Sequence, residues 1–324
     1  MDRRPQILIA EYIDPEGRDI LERHADVAHH PECASDRQAL LEAIRRLMAG
    51  SGMDALVVRN RVAVDAEVLR AARGLRVVGR LGVGLDNVDL DACRTAGVRV
   101  VFARGANAEA VCEYVFAALL HLGRRLAAAD AAVRAGGWPR QAFIGEELAG
   151  QTIGVVGLGE VGRRVAERAA AFGMTVLGAD PYLSPEAVAS SGLPVRLCPF
   201  DALLAAADVL SLHVPLTPDT SHLLGADALG RLRPGAIVVN TSRGGIIDET
   251  ALELALRTGR LRGAALDVRA VEPPAQPDPL AALPGVLLTP HVAGWTRQAL
   301  GSVGRMVAEG VLAVLRGERP PAEA

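Results

Sequence analysis

The chain repeats one pattern, a short aliphatic or β-branched run followed by a helical pattern, and this alternation narrows the possible folds more than any other feature. Alternation of this kind builds a parallel sheet whose faces are covered by helices. In the first third of the chain the predicted helices are Asp36–Ala49 and Asp65–Ala72. The predicted strands there are Ile7–Ile9, Leu56–Val58, Leu75–Val78 and Val98–Val101.

The alternation starts again after a long alanine- and leucine-rich stretch. Residues 107–135 contain no proline and end at Gly136-Gly137, which predicts one long helix with a glycine stop. The segment Pro273–Pro279 is too rich in proline for a helix or a central strand and predicts a surface loop. A final helix is predicted over Thr296–Arg316. The predicted strands of this second series are Thr152–Val156, Thr175–Leu177, Asp208–Leu212, Ala236–Val239, Gly263–Leu266 and Val286–Leu288.

The charged residues exclude several classes of function. With 35 basic and 38 acidic residues the net charge is -3, so we expect neither nucleic acid nor a membrane as a partner. The basic residues are all arginine, and the lack of lysine excludes Schiff-base chemistry and a Walker-type phosphate site. The cysteines show no metal-ligand or disulfide spacing, so we expect no metal and a reducing, cytoplasmic location. They are Cys33, Cys93, Cys112 and Cys198.

A glycine-rich segment, Gly157-Leu158-Gly159-Glu160-Val161-Gly162, follows an apolar strand and opens a helical pattern. The first glycine permits a tight turn, the second lets pyrophosphate oxygens reach bare backbone, and the third lets helix and strand close on each other. The phosphates would then lie at the positive end of a helix. Spacing and context together predict a dinucleotide-binding loop.

An acidic residue, Asp180, ends the next predicted strand when that strand is extended through Gly178 and Ala179. At this distance from the glycine segment a carboxylate accepts a hydrogen bond from the ribose 2′-hydroxyl. It would repel a 2′-phosphate, and the following Pro181-Tyr182-Leu183 supplies no arginine to offset that repulsion. We therefore predict NAD rather than NADP; the competing interpretation is a plain glycine turn with a solvated aspartate.

Three consecutive predicted strands of the second series end in charged or titratable residues. Arg243 follows one of them, Asp267 and Glu272 follow the next, and His291 follows the last. Small residues around Arg243 would let its guanidinium hold a carboxylate through two hydrogen bonds, although surface exposure is the usual fate of an arginine. His213 also follows a strand and is the rival of His291; we expect it to be structural and to line the adenine side of the cofactor site.

Two strand ends of the first series carry a different chemistry. Gly82 and Gly84 follow one strand, and their amides would form a nest for a substrate carboxylate, or simply a glycine turn. Arg59 and Arg61 flank Asn60 after a neighbouring strand, which favours either an anion site or a solvated loop.

Taken together, these segments resemble the D-isomer-specific 2-hydroxyacid dehydrogenases, and among them the branch of the phosphoglycerate and sulfolactate dehydrogenases. The resemblance covers nearly the whole chain, and its segments occur in the family's order. They are Gly82–Asn87, Gly105–Ala108 with Glu113, Gly157–Gly162, His213–Thr217, Asn240–Asp248, Leu266–Val268 leading to Glu272-Pro273, and Thr289–His291.

The resemblance implies an α/β fold of two Rossmann-like, doubly wound parallel-sheet domains, with the active site in the cleft between them. It implies a discontinuous substrate-binding domain of residues 1–103 and 295–324 and an NAD-binding domain of residues 104–294. It also implies a homodimer joined through the cofactor domains, and a small 2-hydroxy or 2-oxo acid as substrate.

The resemblance also implies roles for individual residues. Arg243 becomes the substrate clamp, His291 the proton donor or acceptor, and Glu272 its partner. Asp267 would receive the nicotinamide carboxamide. The amides of Val83 and Gly84 would bind the substrate carboxylate, and Arg59 and Asn60 would complete the substrate site. The implied NAD contacts are Gly157, Leu158, Gly159, Glu160, Val161, Gly162, Asp180, His213, Val214, Pro215, Thr220, Thr241, Asp267 and Gly294.

Two departures from the family pattern concern the substrate. Arg269 stands where the family often has an aromatic residue, and Trp295 stands where a small residue is common. Together with Arg59 to Arg61, Trp295 suggests a pocket for a second anionic group, as on 3-phosphoglycerate or 3-sulfolactate; a glyoxylate or hydroxypyruvate reductase is the alternative. An NAD(H)-sensing, corepressor-like binding protein shares the fold, but it needs no proton relay. The related formate dehydrogenases carry glutamine in place of Glu272.

Overall fold

The computed structural model describes residues 3–324, which form two compact α/β units. The first unit holds the chain up to Asn107 together with Trp295–Ala324, and the second holds Ala108–Gly294. The sequence places the first boundary after residue 103, whereas the units divide four residues later, where a long helix begins.

The first unit is built on a five-stranded sheet in the order β2-β1-β3-β4-β5, with every neighbouring pair parallel. Strands β1, β3, β4 and β5 confirm the predicted strands, since burial on both faces makes them continuous apolar runs. Strand β2 was not predicted, because this half-buried edge strand reads Asp-Val-Ala-His and lacks an apolar run. The strands are β1 Gln6–Ile9, β2 Asp26–His29, β3 Ala55–Val58, β4 Val77–Arg80 and β5 Arg99–Phe102.

Helices cover both faces of this sheet, and four of them begin at an aspartate. Each of these side chains accepts a backbone N–H from the first turn, which satisfies groups that helix formation leaves unpaired. The capping residues are Asp14, Asp36, Asp65 and Asp89. The helices are α1 Pro15–His24, α2 Arg37–Ala49, α3 Ala66–Ala71, α4 Leu90–Thr95 and, from the C-terminal part of the chain, α12 Arg297–Leu315.

Helix α12 is long and apolar enough to cross a membrane by length and composition alone. More than half of it is buried inside the first unit, where Val303, Val307 and Val311 belong to the core beneath β1, β3 and β4. It packs against α1 at a point where Gly17 and Gly304 meet, and a Cβ on Gly17 would lie 2.7 Å from the backbone of Gly304. Its apolar length is therefore accounted for by its place in the core.

The second unit is built on a seven-stranded parallel sheet in the order β12-β11-β10-β9-β6-β7-β8. Its six longer strands confirm the predicted ones, and only the two-residue edge strand β8 was missed. The strands are β6 Thr152–Val156, β7 Thr175–Ala179, β8 Arg196–Leu197, β9 Val209–Leu212, β10 Ala236–Asn240, β11 Leu261–Leu266 and β12 Val286–Leu288. The helices are α5 Ala108–Arg124, α6 Leu126–Arg134, α7 Glu160–Ala171, α8 Pro185–Ser191, α9 Phe200–Ala206, α10 Ala226–Arg231 and α11 Glu249–Arg257.

The prediction of one long helix over residues 107–135 is wrong. Arg125 adopts a left-handed conformation (φ 52°, ψ 41°) and separates α5 from α6. The carbonyl of Gly123, which a continuous helix would pair with the N–H of residue 127, instead accepts the N–H of Glu146 at 3.1 Å. The Arg125 side chain donates to the Ala142 carbonyl at 2.8 Å. The helix therefore ends where a segment some twenty residues later pairs with the Gly123 carbonyl and with the Arg125 side chain.

Candidate functional site

The carboxyl ends of the strands in the second unit place the predicted site residues along one edge of its sheet. Reading across the sheet, β12 leads to His291, β11 to Glu272, β10 to Arg243, β6 to the glycine segment and β7 to Asp180. From β6 the chain continues to β7 on one side and later returns to β9 on the other. Open parallel sheets bind their ligands at such a switch point.

His291 and Glu272 form a hydrogen-bonded pair. Nδ1 of His291 lies 2.8 Å from Oε2 of Glu272, and the two side chains are 38% and 36% exposed. Burial acts to raise the pKa of Glu272, but the hydrogen bonds from His291 and from the N–H of Arg269, with the charges of His291 and Arg243, bring it below its ordinary value. Glu272 is therefore a carboxylate near neutral pH. With Nδ1 occupied, Nε2 is the ring atom left to exchange a proton with a ligand.

Asp267 holds the turn that carries His291. Its carboxylate, 2% exposed, accepts the Thr289 hydroxyl at 2.6 Å and the backbone N–H groups of Val292 and Ala293 at 2.8 Å each. Its carbonyl accepts the N–H of His291 at 2.8 Å. His291 has a positive φ of 57°, which is rare for a residue with a side chain. The implied contact of Asp267 with nicotinamide stays a prediction, and the structure adds a structural role for this residue.

Arg243 lies in a turn that its neighbours hold closely. Ser242 Oγ donates to the Leu212 carbonyl at 2.5 Å, and Asn240 Nδ2 donates to the Arg243 carbonyl at 2.8 Å. Arg243 is half-buried, and its charge acts on Glu272. The next residue, Gly244, packs so tightly on the loop after β11 that a Cβ would lie 1.8 Å from the carbonyl carbon of Arg269. This contact brings the Arg243 turn and the Glu272 loop together.

His213 differs from His291 in its surroundings. Its Nε2 lies 2.8 Å from the Ser211 hydroxyl, and burial lowers the pKa of His213 to about 3. The imidazole is therefore neutral at physiological pH and does not serve as the acid in a proton transfer. Of these two strand-end histidines, His291 is the one paired with a carboxylate.

The glycine segment has the geometry that a dinucleotide needs. A Cβ on Gly162 would lie 1.9 Å from the Gly157 carbonyl, and one on Gly157, where φ is 86°, would lie 2.5 Å from the His213 carbonyl. A Cβ on Gly159 would meet no heavy atom within 4 Å, so the backbone there faces open space. Gly159 also caps α7 without any side-chain hydrogen bond, which leaves the N–H groups of the first turn for an anion. These residues fit the pyrophosphate of NAD.

Asp180 has a partner in the glycine segment. Its Oδ2 accepts the N–H of Leu158 at 2.8 Å, and its Oδ1 accepts the N–H of Tyr182 at 3.0 Å. Each carboxylate oxygen can accept a further hydrogen bond, so the half-buried Asp180 has acceptor capacity left for a ribose hydroxyl. Glu160 and Val161 begin helix α7, directly after Gly159.

The remaining implied NAD residues lie on loops of the same unit. The hydroxyl of Thr220 is used within its own loop, where it donates to the Pro215 carbonyl at 2.6 Å and accepts the Thr217 N–H at 2.8 Å. Thr241 Oγ1 is buried and has no hydrogen-bond partner among residues 3–324. Val214 is half-buried at the start of the loop after β9, and Gly294 is the last residue of the unit.

In the first unit, two adjacent strands end at one edge with the implied substrate residues. Arg59 and Asn60 follow β3, and Val83 and Gly84 follow β4. Val83 and Asn60 are exposed, whereas Arg59 and Gly84 are half-buried. These four residues therefore share an edge of the five-stranded sheet.

Three further residues, Glu11, Tyr12 and Trp295, surround Arg59 at this edge. Glu11, 2% exposed, accepts the backbone N–H groups of Arg59 at 2.7 Å and Val62 at 3.0 Å and so orders the loop. The Arg59 guanidinium carbon lies 4.6 Å from the Trp295 ring centroid and 5.8 Å from that of Tyr12. Burial lowers the pKa of Arg59, though an arginine still stays charged near neutrality. Trp295 was noticed in sequence, but Glu11 and Tyr12 gave no local signal.

No group of three or more histidine, cysteine, aspartate or glutamate side chains within residues 3–324 could hold a metal ion.

Comparison with known proteins agrees with this geometry. Residues 116–293 match the family described as D-isomer specific 2-hydroxyacid dehydrogenase, NAD binding domain. The chain is 47% identical to the D-3-phosphoglycerate dehydrogenase of Mycobacterium leprae over 286 residues, which are 88% of this chain and 52% of that protein. It is 42% identical over 293 residues to the (S)-sulfolactate dehydrogenase of Chromohalobacter salexigens, covering 90% of this chain and 93% of the relative.

A solved structure from Thermus thermophilus superposes with a TM-score of 0.90 at 36% identity, covering 98% of this chain and 99% of the other. The chain spans about half the length of the phosphoglycerate dehydrogenase relatives that it matches. The fold of two parallel-sheet α/β domains and the NAD-binding role of the second are thereby confirmed.

Proposed function

We propose that this chain, which belongs to the D-isomer specific 2-hydroxyacid dehydrogenase family, catalyses hydride transfer between NAD(H) and C2 of a 2-hydroxy or 2-oxo acid. The observation that carries the proposal is the His291–Glu272 pair, with Nδ1 and Oε2 2.8 Å apart at the sheet edge that also presents Arg243. A pure NAD(H) sensor has no use for such a pair, so an enzyme is favoured over a corepressor-like binding protein.

NAD(H), held by the glycine segment and Asp180, would supply or accept the hydride when bound. In reduction, His291 donates a proton from Nε2 to the oxygen that becomes the hydroxyl of the product. Glu272 remains a carboxylate and stabilises the imidazolium before this transfer. In the oxidative direction the neutral imidazole accepts the proton.

Arg243 has the chemistry to orient the acid. A guanidinium can hold a carboxylate and a neighbouring carbonyl oxygen through parallel hydrogen bonds. Such a clamp fixes the reacting carbon and stabilises negative charge that grows on the oxygen in the transition state. In the first unit, the amides of Val83 and Gly84 are the proposed further donors to the substrate carboxylate.

The substrate we propose carries a second anionic group, such as a phosphate or sulfonate. Support comes from Arg59, whose guanidinium stacks on Trp295 and whose loop is ordered by Glu11. A planar cation restrained in this way loses little entropy when it binds an oxyanion. The two relatives described above are named for acids of this type.

An NADH-oxidation screen over 2-oxo acids tests both parts of the proposal. We expect turnover with 3-phosphohydroxypyruvate or sulfopyruvate and much lower kcat/KM with glyoxylate and hydroxypyruvate. Preference for the two small acids would overturn the second anionic group. The absence of turnover with any 2-oxo acid, from a protein that binds NADH, would instead favour the sensor.

We also propose that the protein is a homodimer joined through its second unit. Helix α6 has no buried residue, and four large apolar side chains in and after it are between 50% and 79% exposed. They are Leu126, Val133, Trp138 and Ile144. Large apolar side chains exposed in this way are typical of a protein interface. Light scattering should give twice the 33.9 kDa chain mass, and Trp138→Glu with Ile144→Glu should give the single-chain mass.

A further inference from the structure

Arg269 carries a buried cluster of ion pairs next to the His291–Glu272 pair. Its side chain is 9% exposed and pairs with Glu249, the first residue of α11, and with Asp278, which is 4% exposed. Nε and Nη2 donate to the two oxygens of Glu249 at 3.1 and 2.8 Å. Nη1 and Nη2 donate to the two oxygens of Asp278 at 2.5 and 3.1 Å. The guanidinium thus forms two bidentate pairs, an arrangement that fixes orientation as well as position.

The two carboxylates also hold the backbone of the loop. Glu249 Oε1 accepts the N–H of Ala270 at 2.7 Å, and Asp278 Oδ1 accepts the N–H of Leu280 at 3.1 Å. Residues 268–280 form neither helix nor strand, as the proline-rich sequence predicts. The ion pairs therefore supply the order that regular secondary structure does not give this loop.

The backbone of Arg269 reaches Glu272 directly. Its N–H donates to Glu272 Oε1 at 3.0 Å, while Glu272 Oε2 pairs with His291 at 2.8 Å. One oxygen of Glu272 is thus fixed by Arg269, and the other faces the imidazole. A carboxylate restrained at one oxygen loses a hydrogen bond if it rotates away from its partner, so the restraint keeps Glu272 on His291.

We propose that Arg269 is a positioning residue, which uses Glu249 and Asp278 to hold the Arg269–Glu272 turn so that Glu272 orients His291. This inference rests on the proposed function, because it gives Arg269 a role in the reaction only if Glu272 serves His291. It also explains why this chain has a buried arginine at residue 269, where the family often has an aromatic residue.

The proposal is tested by weakening the cluster at residues that do not touch Glu272. We expect Asp278→Asn and Glu249→Gln each to lower kcat roughly tenfold, with little change in KM for NADH, because a misplaced proton donor slows the chemical step and not binding. Arg269→Lys keeps the charge but cannot form two bidentate pairs. We therefore expect its kcat to lie between that of the wild type and those of the Asp278 and Glu249 variants. The matched control is Glu253→Gln, which removes the 2.7 Å ion pair with Arg257 on the same helix and should leave kcat unchanged.

A double-variant cycle separates positioning from a purely structural effect. Glu272→Ala should lower kcat about 100-fold, and adding Asp278→Asn should cause no further loss, because the cluster then has no side chain at residue 272 to position. If Asp278→Asn lowers kcat by the same factor in both backgrounds, Arg269 does not act through Glu272 and the proposal is wrong. If Asp278→Asn and Glu249→Gln fold normally, by circular dichroism and Tm, and leave kcat unchanged, it is also wrong. Absence of turnover with every 2-oxo acid by the wild-type protein would instead contradict the proposed function.

Discussion

Gly244 and Arg269 approach each other so closely that a Cβ on the glycine would stand 1.8 Å from the carbonyl carbon of Arg269. Gly244→Ala must therefore push the two loops apart, and we expect a loss of about 3 kcal/mol of unfolding free energy together with most activity. Gly159→Ala is the matched comparison, since its Cβ would meet no protein atom within 4 Å. It should keep the wild-type Tm and weaken NADH binding, as measured by fluorescence titration. Equal Tm values for the two variants would contradict the packing argument.

Replacing His291 by alanine should remove the proton donor while leaving the glycine segment and Asp180, which follow β6 and β7, unchanged. The expected loss in kcat is about 10²- to 10⁴-fold, with the Kd for NADH unchanged. Steady-state assays and NADH titration of the same preparation measure both. Substantial turnover by this variant would assign the proton transfer elsewhere. His213→Asn should keep the proton relay, because the ring of His213 faces the Ser211 hydroxyl and is not paired with a carboxylate.

Asp180→Asn should relax the preference for NAD. The substitution removes the negative charge that opposes a 2′-phosphate and keeps an oxygen that can accept the N–H of Leu158. We expect the ratio of kcat/KM for NADPH to that for NADH to rise at least tenfold. Asp180→Ala should additionally weaken both cofactors, because it loses the hydrogen bond to the glycine segment. An unchanged ratio would refute the ribose assignment.

Arg59→Met tests the second anionic group of the substrate. The variant keeps an unbranched side chain against Trp295 but loses the cation, so KM for a phosphate- or sulfonate-bearing 2-oxo acid should rise at least tenfold. KM for glyoxylate should change little. Equal effects on both kinds of acid would mean that Arg59 supports the loop rather than recognises the substrate.

The Arg269 cluster should make stability depend on pH in a defined direction. The hydrogen bonds and charge of Arg269 lower the pKa of Asp278, although burial opposes them. A lowered pKa contributes stability above the unfolded-state value of about 3.9, and this contribution is lost as pH falls through the folded-state pKa. Asp278→Asn should therefore lower Tm at pH 7 and pH 5, and the difference from wild type should shrink below about pH 4. A difference that stays constant down to pH 3 would contradict this assignment.

The buried parallel strands and the glycine segment could be predicted because each is a local pattern. A strand covered on both faces is a run of apolar residues, and the glycines stand at a spacing that only a few turns use. Strand β2 escaped because an edge strand is half-buried and needs no such run. The end of α5 escaped because Glu146, far along the chain, takes the Gly123 carbonyl.

The candidate site likewise contains residues that a local sequence pattern predicts and residues that it does not. Arg243, Glu272 and His291 lie in the loops that follow three apolar strands, so sequence alone predicts that they lie at one edge of the sheet. Glu249 and Asp278 are, in sequence, a helix-start glutamate and an aspartate among prolines. Their partnership with Arg269 exists only once the strand, the helix and the loop are folded, and Glu11 beneath Arg59 is a second case of the same kind.

The left-handed backbone at His291 limits which residue types can replace this histidine in related sequences. Residues with a branched or bulky side chain are strongly disfavoured at φ 57°, whereas asparagine and glycine tolerate it. A non-catalytic descendant that keeps the bonds of Asp267 is therefore expected to carry asparagine or glycine at this position. The backbone at this position would then keep its left-handed conformation although the imidazole had been lost.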